Sequence, residues 1–133
     1  MKAVLLSTLI LFIQVNCFSL TPADTNKVDT NGKKTGIWKE RLNKLETYGT
    51  YENDKKEGVW VTYHPNGVIS NVTEYKNGKR NGLSLTIDQA AHHTAKEFYK
   101  NDTIDGPSLA YGSGSTLQHK SSYKMGKLDG KRT

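Results

Sequence analysis

The residues of this chain that could do chemistry are aromatic rings and basic side chains that return in phase. Trp38, Tyr51, Trp60, Tyr63, Tyr75, Tyr99, Tyr111 and Tyr123 recur at fixed positions, and Lys33-Lys34, Lys55-Lys56, Lys79-Arg80 and Lys127 recur beside them. A ladder of flat rings binds sugars, peptides or a membrane interface. The same ladder also pairs across strands, at about 0.2–1 kcal/mol per pair. A row of basic turns attracts polyanions such as anionic glycans or lipid headgroups, and it equally serves solubility and edge protection. The candidate binding residues are Trp38, Trp60, Tyr63, Tyr75, Tyr99, Tyr123, Lys34, Lys56, Lys79 and Arg80.

Reactive centres are not evident. His92 and His93 are adjacent, so on a strand their rings diverge, and no cysteine or acidic cluster completes a metal site. His64 and His119 stand alone. Gly112-Ser113-Gly114-Ser115 approaches a nucleophile elbow, but Thr116 occupies the last glycine position, so the stretch reads as a flexible turn. Acids such as Glu52, Asp54, Glu57, Asp102, Asp105 and Asp129 are spread one or two per unit and read as solvated turn charges, not as an acid–base pair in a cleft. No enzyme, cofactor or metal is expected.

The elements that must position these groups follow from a motif of the form aromatic-Lys-Asn-Gly-Lys-x-x-Gly. Its last glycine falls at Gly36, Gly58, Gly82, Gly106 and Gly130, at intervals of 22, 24, 24 and 24 residues. Each of the last four has a tyrosine seven places upstream. Such a period marks a protein built by stacking one small unit. Val59-Trp60-Val61-Thr62-Tyr63 is β-branched and aromatic, and so is a strand signal. His64-Pro65-Asn66-Gly67 turns the chain, Val68 to Tyr75 is the second strand, and Asn77-Gly78 is another tight turn. Short turns force antiparallel neighbours. The expectation is an all-β, elongated antiparallel meander of hairpin repeats of about 24 residues.

The first unit is short by two residues, and the deletion falls near Leu42-Asn43-Lys44, where a turn is expected. Later units depart from the pattern. Ser84 and Ser108 replace the tryptophan, and Pro107 predicts a bulge. The stretch from Gln89 to Lys96 has helix-forming residues behind Asp88, yet the repeat register places a hairpin there. The charged end, Lys131-Arg132-Thr133, would discourage pairing with another molecule.

Asn31 to Trp38 and Tyr75 to Gly82 resemble MORN-repeat variant units, and Gly58 to Gly67 is similar to the Gly-x-Trp-x-x-Tyr-x-x-Asn-Gly half of that unit. The resemblance covers residues from Asp29 onward and includes bacterial proteins labelled YwqK-like antitoxins. It implies a hairpin array and, through that label, neutralisation of a partner toxin.

The chain has 133 residues, a formal charge of +6 and a pI of about 9.4. A mean hydropathy of −0.67 leaves little for a large core. Lys2 followed by the apolar run from Ala3 to Val15 reads as a secretory signal peptide over residues 1–17, with 18–28 as a tether and 29–133 as the array. Cys17, the single cysteine, is either removed with the leader or carries a lipid anchor, although Gln14 stands where lipoproteins carry an aliphatic residue. Lack of a disulfide in an exported chain points to a bacterial source. Asn71-Val72-Thr73 and Asn101-Asp102-Thr103 fit the glycosylation sequon. The expected location is secreted or periplasmic, or lipid-anchored to the envelope. The expected partner is a protein or envelope component, not nucleic acid, with edge-to-edge self-association as a further route.

Overall fold

The computed structural model describes residues 25–130 and 132–133. The leader, Cys17, residues 18–24 of the tether and Lys131 lie outside the described residues. Ten strands form one sheet in the order of the chain: β1 (Lys27–Val28), β2 (Lys34–Leu42), β3 (Leu45–Glu52), β4 (Lys55–Tyr63), β5 (Ile69–Lys76), β6 (Lys79–Ile87), β7 (His93–Lys100), β8 (Thr103–Tyr111), β9 (Leu117–Lys124) and β10 (Lys127–Leu128). Every pairing is antiparallel. The expected meander is the fold, and residues 88–97 form a hairpin as the register required.

One edge of the sheet carries two-residue turns at Asn53-Asp54, Asn77-Gly78, Asn101-Asp102 and Met125-Gly126. Both residues of each turn have positive φ, between 49° and 81°. This geometry matches the right-handed twist of the strands it joins. The first turn on that edge differs from the expected Asn-Gly pattern. Residues 29–33 form a longer loop in which Asp29 Oδ1 accepts from the backbone N–H of Asn31 and Lys33. The opposite edge has five-residue loops at 64–68, 88–92 and 112–116, the last containing a 3-10 turn, Ser113–Ser115. Its first connection is only Asn43-Lys44, so the two-residue shortfall falls in a turn.

The repeat glycines are set at bulges. Between the pairs Tyr48↔Val61 and Thr50↔Glu57, the single residue Gly49 of β3 faces Gly58, Val59 and Trp60 of β4. The same slip sets Glu74 against residues 81–83, and Phe98 against 105–107. Pro107 thus falls in a bulge, where its missing donor costs no ladder bond. Gly58, Gly82 and Gly106 take φ of 69°, 119° and 120° there, which an L side chain rarely adopts. On the other side the register shifts only near the five-residue loops, and Gly36, Gly58, Gly82 and Gly106 stand directly opposite Tyr51, Tyr75, Tyr99 and Tyr123. A tyrosine therefore pairs with the glycine of the preceding unit, a cross-strand arrangement that covers bare backbone.

The sheet is one layer, and its core is thin. Among the described residues only Tyr51, Trp60, Thr73 and Ser121 are buried, and of these only Trp60 fully. The outermost strands are partly covered. Asn26, in the lead-in, uses its side-chain amide to donate to Lys39 O and to accept from Lys39 N. At the far side Thr133 and Lys120 exchange both backbone bonds.

Candidate functional site

Alternation along the strands divides the side chains between two faces. On the first face the rings form a chain of edge-to-face contacts. Trp38 meets Tyr51 at 5.5 Å, Tyr51 meets Trp60 at 5.1 Å, and Trp60 meets Tyr75 at 6.4 Å. The second member of each basic pair folds over these rings. Lys34 Nζ lies 4.4 Å from the Trp38 ring, Lys56 Nζ 3.9 Å from Trp60, and the Arg80 guanidinium 4.0 Å from Tyr99. Such edge-to-face pairs contribute about 0.5–1.5 kcal/mol each, and cations over exposed rings about 0.5–1 kcal/mol.

Glu40 ties this face together. It accepts from Tyr51 Oη at 2.8 Å and pairs with Lys34 at 3.3 Å and Lys56 at 3.1 Å. Burial opposes its ionisation, but the bonds from Tyr51, Lys56 and Lys34 outweigh that and hold its carboxyl below the usual value. Burial, then the Glu40 bond, raises the Tyr51 phenol, and burial also raises Tyr75. Trp60 is 2 % exposed, with its indole N–H on Thr50 O. A ring so covered offers almost no area to a ligand.

These geometries sort the sequence-predicted site residues. Trp38, Trp60, Tyr75, Lys34 and Lys56 form one internally satisfied spine. Arg80 and Tyr99 continue it, with Arg80 also paired to Asp102 at 3.5 Å and Tyr99 donating to Glu97. Tyr123 is half-buried between Gly106 and Leu128 on its neighbouring strands. Lys79 is exposed at the turn edge. Ser84 and Ser108 lie in the tryptophan row, where Thr73 Oγ1 reaches Ser84 Oγ at 3.2 Å. His92 lies in its loop beside Asp88, and His93 is on β7 against Tyr111 at 6.3 Å. Among the described residues no three His, Cys, Asp or Glu come together as metal ligands.

The acids expected as solvated turn charges divide: Asp54 and Asp102 are exposed in turns, whereas Glu57 and Asp105 are half-buried on strands, and all four accept backbone bonds. Asp54 accepts from Lys34 N, Glu57 from Asn77 N, Asp102 from Arg80 N and Asp105 from Met125 N. Each bond joins neighbouring turns, so the acids form a ladder along the basic edge.

Tyr63 parts company with the other aromatics. It lies on the second face, in the cross-strand row Arg41–Glu46–Tyr63, and its ring meets Tyr48 at 5.8 Å, nearly perpendicular. Here the short Asn43-Lys44 turn leaves the 64–68 loop standing beyond it. The resulting notch has a volume of about 740 Å³ and is lined by Arg41, Lys44, Glu46, Tyr48, Tyr63, His64, Pro65 and Gly67. The next unit holds its outer wall. His64 Nε2–H donates to Ile87 O at 2.9 Å, and Asn66 donates to Gln89 O.

Glu46 of the notch pairs at 3.0 Å with Lys39, which stands beside the lining, and Tyr48 donates to the same carboxylate. The Lys39 bond is the largest cause holding the Glu46 carboxyl below its usual value. The side chains of Arg41 and Lys44 are exposed and make no hydrogen bond or ion pair with a described residue, although Arg41 stands opposite Glu46 and its charge adds to what lowers that carboxyl. Sequence reasoning named Tyr63 and missed Arg41, Lys44, Tyr48 and His64. The available signal was the first interval, two residues short of its successors. No family model matches this chain, and no curated protein matches it.

Proposed function

We propose that this chain is a non-enzymatic recognition module, a MORN-variant hairpin array exported from the cytoplasm, whose notch at the β2–β3 turn engages a protein or envelope component. The observation that carries the reading is the contrast between the faces. The first face uses its rings and cations on one another, whereas the notch presents two cations outside any ion pair and a tyrosine pair in a hollow of about 740 Å³. Concavity with a few convergent polar groups is the usual form of a binding site. Export rests on the leader sequence. The test is a comparative capture: wild-type and Arg41→Glu/Lys44→Glu chains are immobilised and exposed to envelope and secreted fractions of the host. A component retained by wild type and lost from the variant supports the reading; no such component defeats it.

A second reading, an immunity protein that blocks a toxin, is favoured by the similarity of Gly58 to Gly67 to the antitoxin-labelled repeat. It would use the same surface, and a captured component with toxic activity would select it.

A further inference from the structure

We infer that the notch is a subsite for an acidic oligosaccharide, a chain of pyranose rings bearing carboxylates, such as a uronate oligomer. This deepens the recognition-module reading and rests on it. The first observation is charge. Of the lining residues Arg41 and Lys44 are cationic and Glu46 is the one acid, and Lys39, beside the lining, pairs with Glu46, so the four groups together carry two positive charges in excess. The free pair therefore selects an anion. The Arg41 fork is suited to a planar carboxylate, which it binds through two parallel bonds. The second observation is shape. The hollow is open and broad, about 740 Å³, which suits a run of rings better than a compact ion. The third is the lining. Tyr48 and Tyr63 stand nearly perpendicular, so they offer flat apolar area in two orientations beside polar tips. A pyranose has the matching pattern, with a C–H face and a hydroxyl rim.

A peptide would dock differently. Extended peptides add to an open strand edge through main-chain bonds. The notch instead lies on a sheet face, where β2, β3 and β4 are paired with one another. The wall is also prepared before a ligand arrives. Its loop is pinned by the His64–Ile87 and Asn66–Gln89 bonds, so little ordering is left to oppose binding.

The test is an NMR titration of the full chain with trigalacturonate, its methyl ester and monomeric galacturonate. The expected result is saturable shifts at Tyr48, Tyr63, His64 and Gly67 with the trimer, weakening as salt rises. Loss of the two charge-assisted contacts in Arg41→Glu/Lys44→Glu lowers affinity by roughly tenfold or more. Both residues are exposed, so the variant keeps the wild-type spectrum elsewhere and folding does not confound the result. Lys55→Glu/Lys79→Glu, at the opposite edge, leaves the affinity unchanged. Equal binding of ester and acid, equal binding of monomer and trimer, shifts confined to the Lys55–Lys79 edge, or no shift at all would each overturn the assignment. If it fails while the comparative capture still retains an Arg41-dependent component, the ligand class falls and the recognition module stands. If neither experiment finds a ligand, both fall.

Discussion

Gly49 shows how one residue outside the repeat controls the packing of one inside it. A Cβ at this position would run into the Trp60 indole, whose ring lies across the β3 backbone. Gly49→Ala must displace the most deeply buried side chain, so a loss of about 3 kcal/mol is expected, measured as a lowered urea midpoint. At Gly82 the same space is taken by the Glu74 carboxylate, which accepts from Leu83 N at 2.7 Å. Glu40 contributes to the pH response together with Glu46 and Asp88, whose carboxyls are also held low. The folded Glu40 carboxyl titrates below the ordinary 4.5, so the unfolded chain binds more protons between those values and stability rises with pH. The stabilisation is complete above about pH 4.5 and is lost as pH falls through the folded value. Urea midpoints measured from pH 6 downward should fall in wild type and fall less steeply in Glu40→Gln. The repeating glycines and rings were legible in the sequence because each recurs. Gly49 and Glu40 were not, because what they touch depends on cross-strand register.

At the scale of elements, turns carry the interactions that make neighbouring hairpins one object. Asp102→Ala removes the acceptor of Arg80 N and the Arg80 ion pair. The site is exposed, so these losses cost about 1 kcal/mol. Alanine at a φ of 66° adds about 1–2 kcal/mol of strain. Amide exchange is expected to be faster at Arg80 than at Lys34, whose Asp54 cap remains. Replacing Leu42-Asn43-Lys44 with the five residues of the 64–68 loop restores the two missing residues and should leave the fold intact, because the other hairpins already use such loops. It should fill the notch and abolish Arg41-dependent binding, read in the same capture and titration. The Asn-Gly signals at 31–32, 66–67 and 77–78 located turns on both edges, and the repeat period placed the others. They could not show that one short turn leaves a hollow, since a hollow requires the neighbouring loop to stay long. Nor did sequence reveal β1, whose two residues show no period and fold as strand through their pairing with β2.

At the scale of the molecule, stability is a sum over units and their interfaces. The spine from Trp38 to Tyr75 is confined to the first two hairpins, and serines take the tryptophan positions beyond. Amide exchange is therefore expected to be slowest over β3 to β5 and faster over β7 to β9. The far edge depends on its last residues, because β10 and Thr133 cover β9. Ending the chain at Lys124 should leave β9 open to strand pairing and raise self-association, seen as a concentration-dependent rise in sedimentation rate.

The pairing of each tyrosine with the preceding unit's glycine has a genetic consequence. Every junction from β4 onward repeats that glycine–tyrosine pair, so an in-frame duplication of 24 residues meets a matching neighbour on both sides. Tandem slippage can lengthen this protein downstream while its one truncated connection, and whatever it holds, passes unchanged from shorter to longer descendants.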